Sequence, residues 1–153
     1  MKTMKKTLNG LLIISLVTLC MTGCKKYEEG GLISKADKRL TANIWKLKKY
    51  LRNGNDETSN LLISNFTEQF QDGGTLIRSY VDKDGDPFSE TGSWQFDNDK
   101  QQVNLTGVGS IELTDETSTV SSSDYDIIKL EKEELWYSYE NGGDKHEFHL
   151  IPN

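Results

Sequence analysis

The stretch NFTEQFQDGGTLIRSY, residues 65 to 80, decides how this chain is read. Apolar and polar residues alternate on both sides of Asp72-Gly73-Gly74, and a period of two belongs to half-buried strands. A three-residue loop in which glycine supplies positive φ joins two antiparallel strands and sets Gln71 opposite Thr75. That register places Phe70 beside Leu76, Glu68 beside Arg78 and Phe66 beside Tyr80. All six share one face, because side chains two apart along a strand point the same way. An ion pair is thereby held between two apolar pairs.

The same pattern continues outward. Short alternating runs predict strands near 44–52, 62–71, 75–82, 91–97, 102–106, 109–114, 123–130, 135–140 and 144–151. Only Pro87 and Pro152 interrupt, and no long apolar stripe of helical period occurs. In YDIIKLEKEELWYSY, residues 125 to 139, a polar loop over Glu131 to Glu134 pairs Leu130 with Leu135 and Ile128 with Tyr137. Asn141-Gly142 suits a type I′ turn, which sets Tyr137 opposite His146 and Leu135 opposite Phe148. Residues 43–153 therefore read as one antiparallel all-β domain with a modest core.

The amino terminus carries a different message. Lys2, Lys5 and Lys6 precede an apolar run from Leu11 to Met21, too short for the roughly 20 residues that span a bilayer. It ends in Met21-Thr22-Gly23-Cys24, small residues before a cysteine. The arrangement resembles a bacterial lipoprotein signal, with residues 1–23 removed and Cys24 the first mature residue. The resemblance implies thioether-linked and amide-linked acyl chains on Cys24, enough for stable anchoring where one chain is marginal. The partner is then membrane lipid, and the location the bacterial outer membrane, on its periplasmic or cell-surface face. Cys20 lies in the discarded part, so the mature chain has no disulfide and no cysteine nucleophile or cysteine-based metal site.

Residues 24–42 read as a lipidated tether. Gly30 and Gly31 loosen its backbone, and Ser34 can cap a short helix over Lys35 to Leu40. Lys25-Lys26-Tyr27-Glu28-Glu29 resembles the charged export signals of some surface lipoproteins. Residues 1–43 hold eight Lys/Arg against three Asp/Glu, whereas the rest holds ten against 21. A domain this acidic repels phosphate backbones, which argues against a nucleic-acid partner.

Catalytic and metal-binding patterns fail on spacing. Asp82-Lys83-Asp84-Gly85-Asp86 starts like a calcium loop, but Pro87 stands where glycine is required and Ser93 where the bidentate Glu belongs. His146 and His149 are three apart in a strand, on opposite faces, and do not chelate one ion. No serine sits in a nucleophile elbow with an oriented histidine. The reading is a non-enzyme with no metal and no cofactor.

Trp45 opening the first strand, FQDGGTL, then Gly92-Ser93-Trp94 and YDIIKLEKEELWY occur in an order that resembles the lipocalin-like domain lipoproteins of Bacteroidota. The resemblance spans nearly all of residues 41 to 151, with Asn43 where a glycine is usual. It implies an up-and-down β barrel of about eight strands and no particular ligand. The candidate ligand-binding residues are Glu68, Arg78, Tyr137 and His146, with Arg78 able to hold a ligand carboxylate. Two placements of the Glu68–Arg78 pair are open: the polar end of an inner cavity, or the barrel mouth in water, where it is worth at most about 1 kcal/mol. The expected function is a lipid-anchored binding or accessory module for a small apolar or anionic ligand. The alternative is a structural subunit with an envelope protein partner and a barrel filled by its thirteen aromatic residues.

Overall fold

A computed structural model describes residues 24–109 and 124–153. The strands are β1 (Ile44–Arg52), β2 (Asn55–Asp56), β3 (Ser64–Phe70), β4 (Thr75–Val81), β5 (Pro87–Phe96), β6 (Gln102–Thr106), β7 (Asp124–Leu130), β8 (Leu135–Asn141) and β9 (Asp144–Pro152). They pair antiparallel in chain order, and β1 closes the sheet by pairing with β9. The result is an eight-stranded, up-and-down closed barrel, with β2 a two-residue strand hung on the end of β1. This is the architecture expected from the sequence. The expected strand at 109–114 lies outside the described residues, apart from Gly109.

The first hairpin has the predicted register, with Phe70 opposite Leu76 and Glu68 opposite Arg78. Phe66 and Tyr80 are not a ladder pair, because the register shifts between Ser64 and Thr67. Asn65 turns through φ 53° there, in the left-handed region that asparagine tolerates. Phe66 is nonetheless buried.

Two registers differ from expectation. Ile127, not Ile128, lies opposite Tyr137, since a bulge leaves Ile128 unpaired between Ile127 and Lys129. One extra residue reverses the facing of everything beyond it, so Tyr125 and Ile127 point inward while Ile128 is half-buried. In the last hairpin the turn is Gly142-Gly143 rather than Asn141-Gly142, with φ 61° and 94°. A type I′ turn needs positive φ at both positions, which two glycines adopt freely. Moving the turn by one residue moves the partners by two, so Tyr137 faces Phe148 and Leu135 faces Leu150. Leu135, Tyr137, His146 and Phe148 all stay inside.

The segment expected to be a loose tether is folded onto one end of the barrel, its base. Tyr27, Ile33, Ala36 and Leu40 are buried in the core. A 3-10 turn at Ile33–Lys35 leads into α1 (Ala36–Leu40), and no side chain, Ser34 included, caps the N-terminus of either. The unpaired bulge has a use here: the Glu29 N–H donates to the Ile128 carbonyl at 3.1 Å. Gly31, at φ 87°, runs so close to β7 that a Cβ would sit 2.0 Å from the Leu130 carbonyl oxygen. The two glycines allow close approach rather than slack. The Tyr27 hydroxyl donates to the Lys100 carbonyl at 2.8 Å, and the Trp45 indole to the Leu40 carbonyl at 2.8 Å.

Candidate functional site

The base of the lumen is apolar. Trp45, Phe70, Leu76, Leu130, Leu135 and Leu150 fill it from β1, β3, β4, β7, β8 and β9. Trp94 adds its ring, edge-on to Phe70 at 5.9 Å between centroids, and its indole donates to the Gln71 carbonyl at 3.0 Å. Each buried indole N–H thus has a backbone acceptor, as burial requires.

Above this floor the lumen turns polar. Glu68 and Arg78 are 0% and 2% exposed, so the pair is inside the barrel and not in water at its mouth. Arg78 Nε and Nη2 both donate to Glu68 Oε1, at 3.0 and 2.7 Å, and Nη1 donates to the Gly109 carbonyl. Glu90, directly across the β4–β5 ladder, brings a second carboxylate to 3.8 Å from Nη1, and its Oε2 accepts from the Gly109 N–H at 2.8 Å. The Phe66 ring lies 5.4 Å from the guanidinium carbon. Burial is the largest influence and works against the Arg78 charge, but Glu68, Tyr137 and Tyr125 together outweigh it and the guanidinium pKa is raised.

Tyr137 donates its hydroxyl to Glu68 Oε2 at 2.9 Å. Since β9 and β1 lie between β8 and β3 around the barrel, this bond crosses the lumen as a chord. Tyr125 packs its ring edge-on to Tyr137 at 5.2 Å. Burial, with Glu68 nearby, pushes the Tyr137 phenol well up, and burial pushes Tyr125 up against the opposing pull of Arg78. Both stay protonated across the ordinary pH range.

Three of the four candidate residues therefore meet, and the fourth stands apart. His146 is buried, but its Nδ1 bonds the Tyr50 hydroxyl at 2.6 Å and its ring stacks on Tyr139 at 4.7 Å. Tyr139 and Phe148 link it to Tyr137 through ring contacts. Tyr125 and Glu90 join the network without having been singled out from the sequence. The β7 bulge hid Tyr125 by reversing its apparent face, and Glu90 lay just ahead of the expected strand start. The signal that finds Glu90 is Pro87, a residue suited to the first position of a strand.

Beside the lumen a cavity of about 220 Å³ opens at the mouth, lined by Leu62, Ile63, Tyr80, Phe88 and the polar turn Asp82-Lys83-Asp84. Phe88 is 49% exposed and packs its ring, tilted, 5.2 Å from that of Tyr80. The outer wall carries a recess of about 400 Å³ that includes Trp136 and His149. Their rings stack on one another at 3.9 Å, with Lys129 placed 4.6 Å from the indole. His149 thus lies outside and His146 inside, as strand parity dictates.

No family model matches the sequence, and no curated protein does. Solved structures of similar shape exist. One is a lipocalin-like protein from Bacteroides uniformis ATCC 8492, at 14% identity and TM-score 0.49, covering 74% of this chain and 99% of that one. Another is japanin from Rhipicephalus appendiculatus bound to cholesterol, at 10% identity and TM-score 0.48, covering 74% and 76%. A third is apocrustacyanin C2, at 11% identity and TM-score 0.45, covering 79% and 68%.

Proposed function

We propose that this protein is a lipid-anchored envelope lipoprotein whose barrel is a non-catalytic module taking a small apolar ligand at its mouth. The observation that carries the reading is the apolar lip of Leu62, Ile63, Tyr80 and Phe88 around an open cavity. The ligand is apolar rather than anionic because each nitrogen of Arg78 already donates to Glu68 or Gly109, with the Glu90 carboxylate beside them. A ligand carboxylate entering there meets two protein carboxylates already in place. The cavity of about 220 Å³ lies below the usual range of roughly 300–1,000 Å³ for ligand pockets, so it suits one small apolar group.

A second reading has its own support. The Tyr137–Glu68 bond across the lumen is what a barrel filled by its own side chains shows, and a filled barrel suits a structural subunit. Native mass spectrometry of the protein purified from its own envelope separates the two. Binding predicts an acylated chain carrying a small added mass that Phe88→Ser removes. An acylated chain that carries only a partner protein supports the structural reading and overturns the first. The anchor has its own test, since Cys24→Ala is expected to release the protein from membranes. A wild type without acyl mass, and a variant still membrane-bound, remove the lipoprotein reading.

A further inference from the structure

We infer that the base of the barrel is held against the bilayer and the mouth points away from it, so that the ligand enters from the aqueous side. The inference rests on acylation of Cys24 and adds to it the geometry of the segment that follows. That segment is docked almost from its first residue. The Lys25 carbonyl accepts from the Ile33 N–H at 3.3 Å, Lys26 is bridged to Leu32, and Tyr27 is buried. One residue of extended chain reaches about 3.5 Å, so the exposed Cys24 stays within a few ångströms of the barrel base.

The opposite end is far away by the same measure. Strand β9 runs nine residues from mouth to base. At about 3.3 Å per residue and a tilt of roughly 35–45°, that places the mouth on the order of 20 Å further from the anchor. Charge does not set this orientation. The exposed Lys25, Lys26, Lys35, Lys38 and Lys132 at the base are offset by the exposed Glu28, Glu29, Asp37, Asp99 and Glu133, so attraction to anionic lipid is weak. The leash does the orienting, and the arrangement is insensitive to salt.

The test uses the acylated protein from its own envelope, reconstituted in phosphatidylcholine vesicles whose headgroups carry a short-range transition-metal quencher. The sulfur of Cys24 is occupied by the thioether, so an introduced cysteine is a unique label. Lys132→Cys reports the base and Lys83→Cys, in the β4–β5 turn, reports the mouth. The expected result is quenching several-fold stronger at the base, unchanged by salt. A Gly/Ser insertion of roughly twelve residues after Cys24, with a reach of about 20 Å, is expected to erase most of the difference. Equal quenching at the two sites in a chain whose acyl mass is confirmed, or stronger quenching at the mouth, overturns the orientation and leaves the lipoprotein reading intact. A chain without acyl mass overturns both.

Discussion

The two halves of the lumen are stabilised in different ways. At the base, Leu76, Leu130, Leu135 and Leu150 are wholly buried against Trp45 and Phe70, and shape alone decides the fit. At mid-height, Glu68, Arg78 and Tyr137 are as deeply buried, but each is held by hydrogen bonds of fixed direction. Removing atoms from the first half leaves a cavity. In the second it leaves a charge without its partner, which is the costlier error.

The largest effect separates those halves. Arg78→Met leaves Glu68 and Glu90 without their shared cation and is expected to cost about 3–5 kcal/mol, read as a lower urea midpoint. Glu68→Gln is expected to cost less, because Arg78 keeps Glu90 and the Gly109 carbonyl. Equal losses break this account of the network. At the base, Leu76→Ala is expected to cost about 2–5 kcal/mol with an unchanged m-value, from lost burial and residual cavity. A change in m instead points to a loosened native state.

Tyr137→Phe removes one charge-assisted hydrogen bond, for about 1.5–3 kcal/mol, and also changes the alkaline limit. Burial is the main cause that holds the phenols of Tyr27, Tyr125 and Tyr137 above their ordinary value. In the unfolded chain they ionise near pH 10. Above that, the unfolded state releases protons that the folded state keeps. Stability from these groups is whole below about pH 10 and falls by about 1.4 kcal/mol per pH unit for each phenol. Equilibrium unfolding between pH 9 and 11 is expected to show a shallower decline in Tyr137→Phe, by one phenol's share.

Tyr27→Phe tests the cap through a single bond to the Lys100 carbonyl, at about 1 kcal/mol. Faster proteolysis near residue 30, with the barrel intact, is its expected signature. The smallest effect belongs to the lip. Phe88→Ser is expected to stay within about 0.5 kcal/mol of wild type while losing any bound apolar ligand, and a large drop in stability there assigns Phe88 to the core.

The barrel was legible because alternation and turn glycines are local signals, and the hairpin at Asp72 placed Glu68 against Arg78 from eleven residues of sequence. What stayed hidden was non-local. The Ile128 bulge is stabilised in part by a backbone donor from Glu29, a contact that no window around residue 128 contains. Two turns compete at Asn141, Gly142 and Gly143, and the winner sets Leu135 against Leu150 and Tyr137 against Phe148. The tether looked loose because paired glycines usually signal freedom. Here they permit a close approach that only the position of Leu130 explains.

Closure by β1 and β9 has a consequence for biogenesis. The first strand to emerge pairs along most of its length with the last, and the cap bonds to residues some 73 positions later. Contacts so distant in sequence form late, after loop entropy has been met. On the proposed lipoprotein reading, the amino-terminal segment therefore has nothing to dock on during export, and Cys24 is open to the enzymes that would modify it. Once β9 arrives, ring and cap lock together. Under that proposal the order of synthesis separates a stage for attaching the anchor from a stage for tightening it.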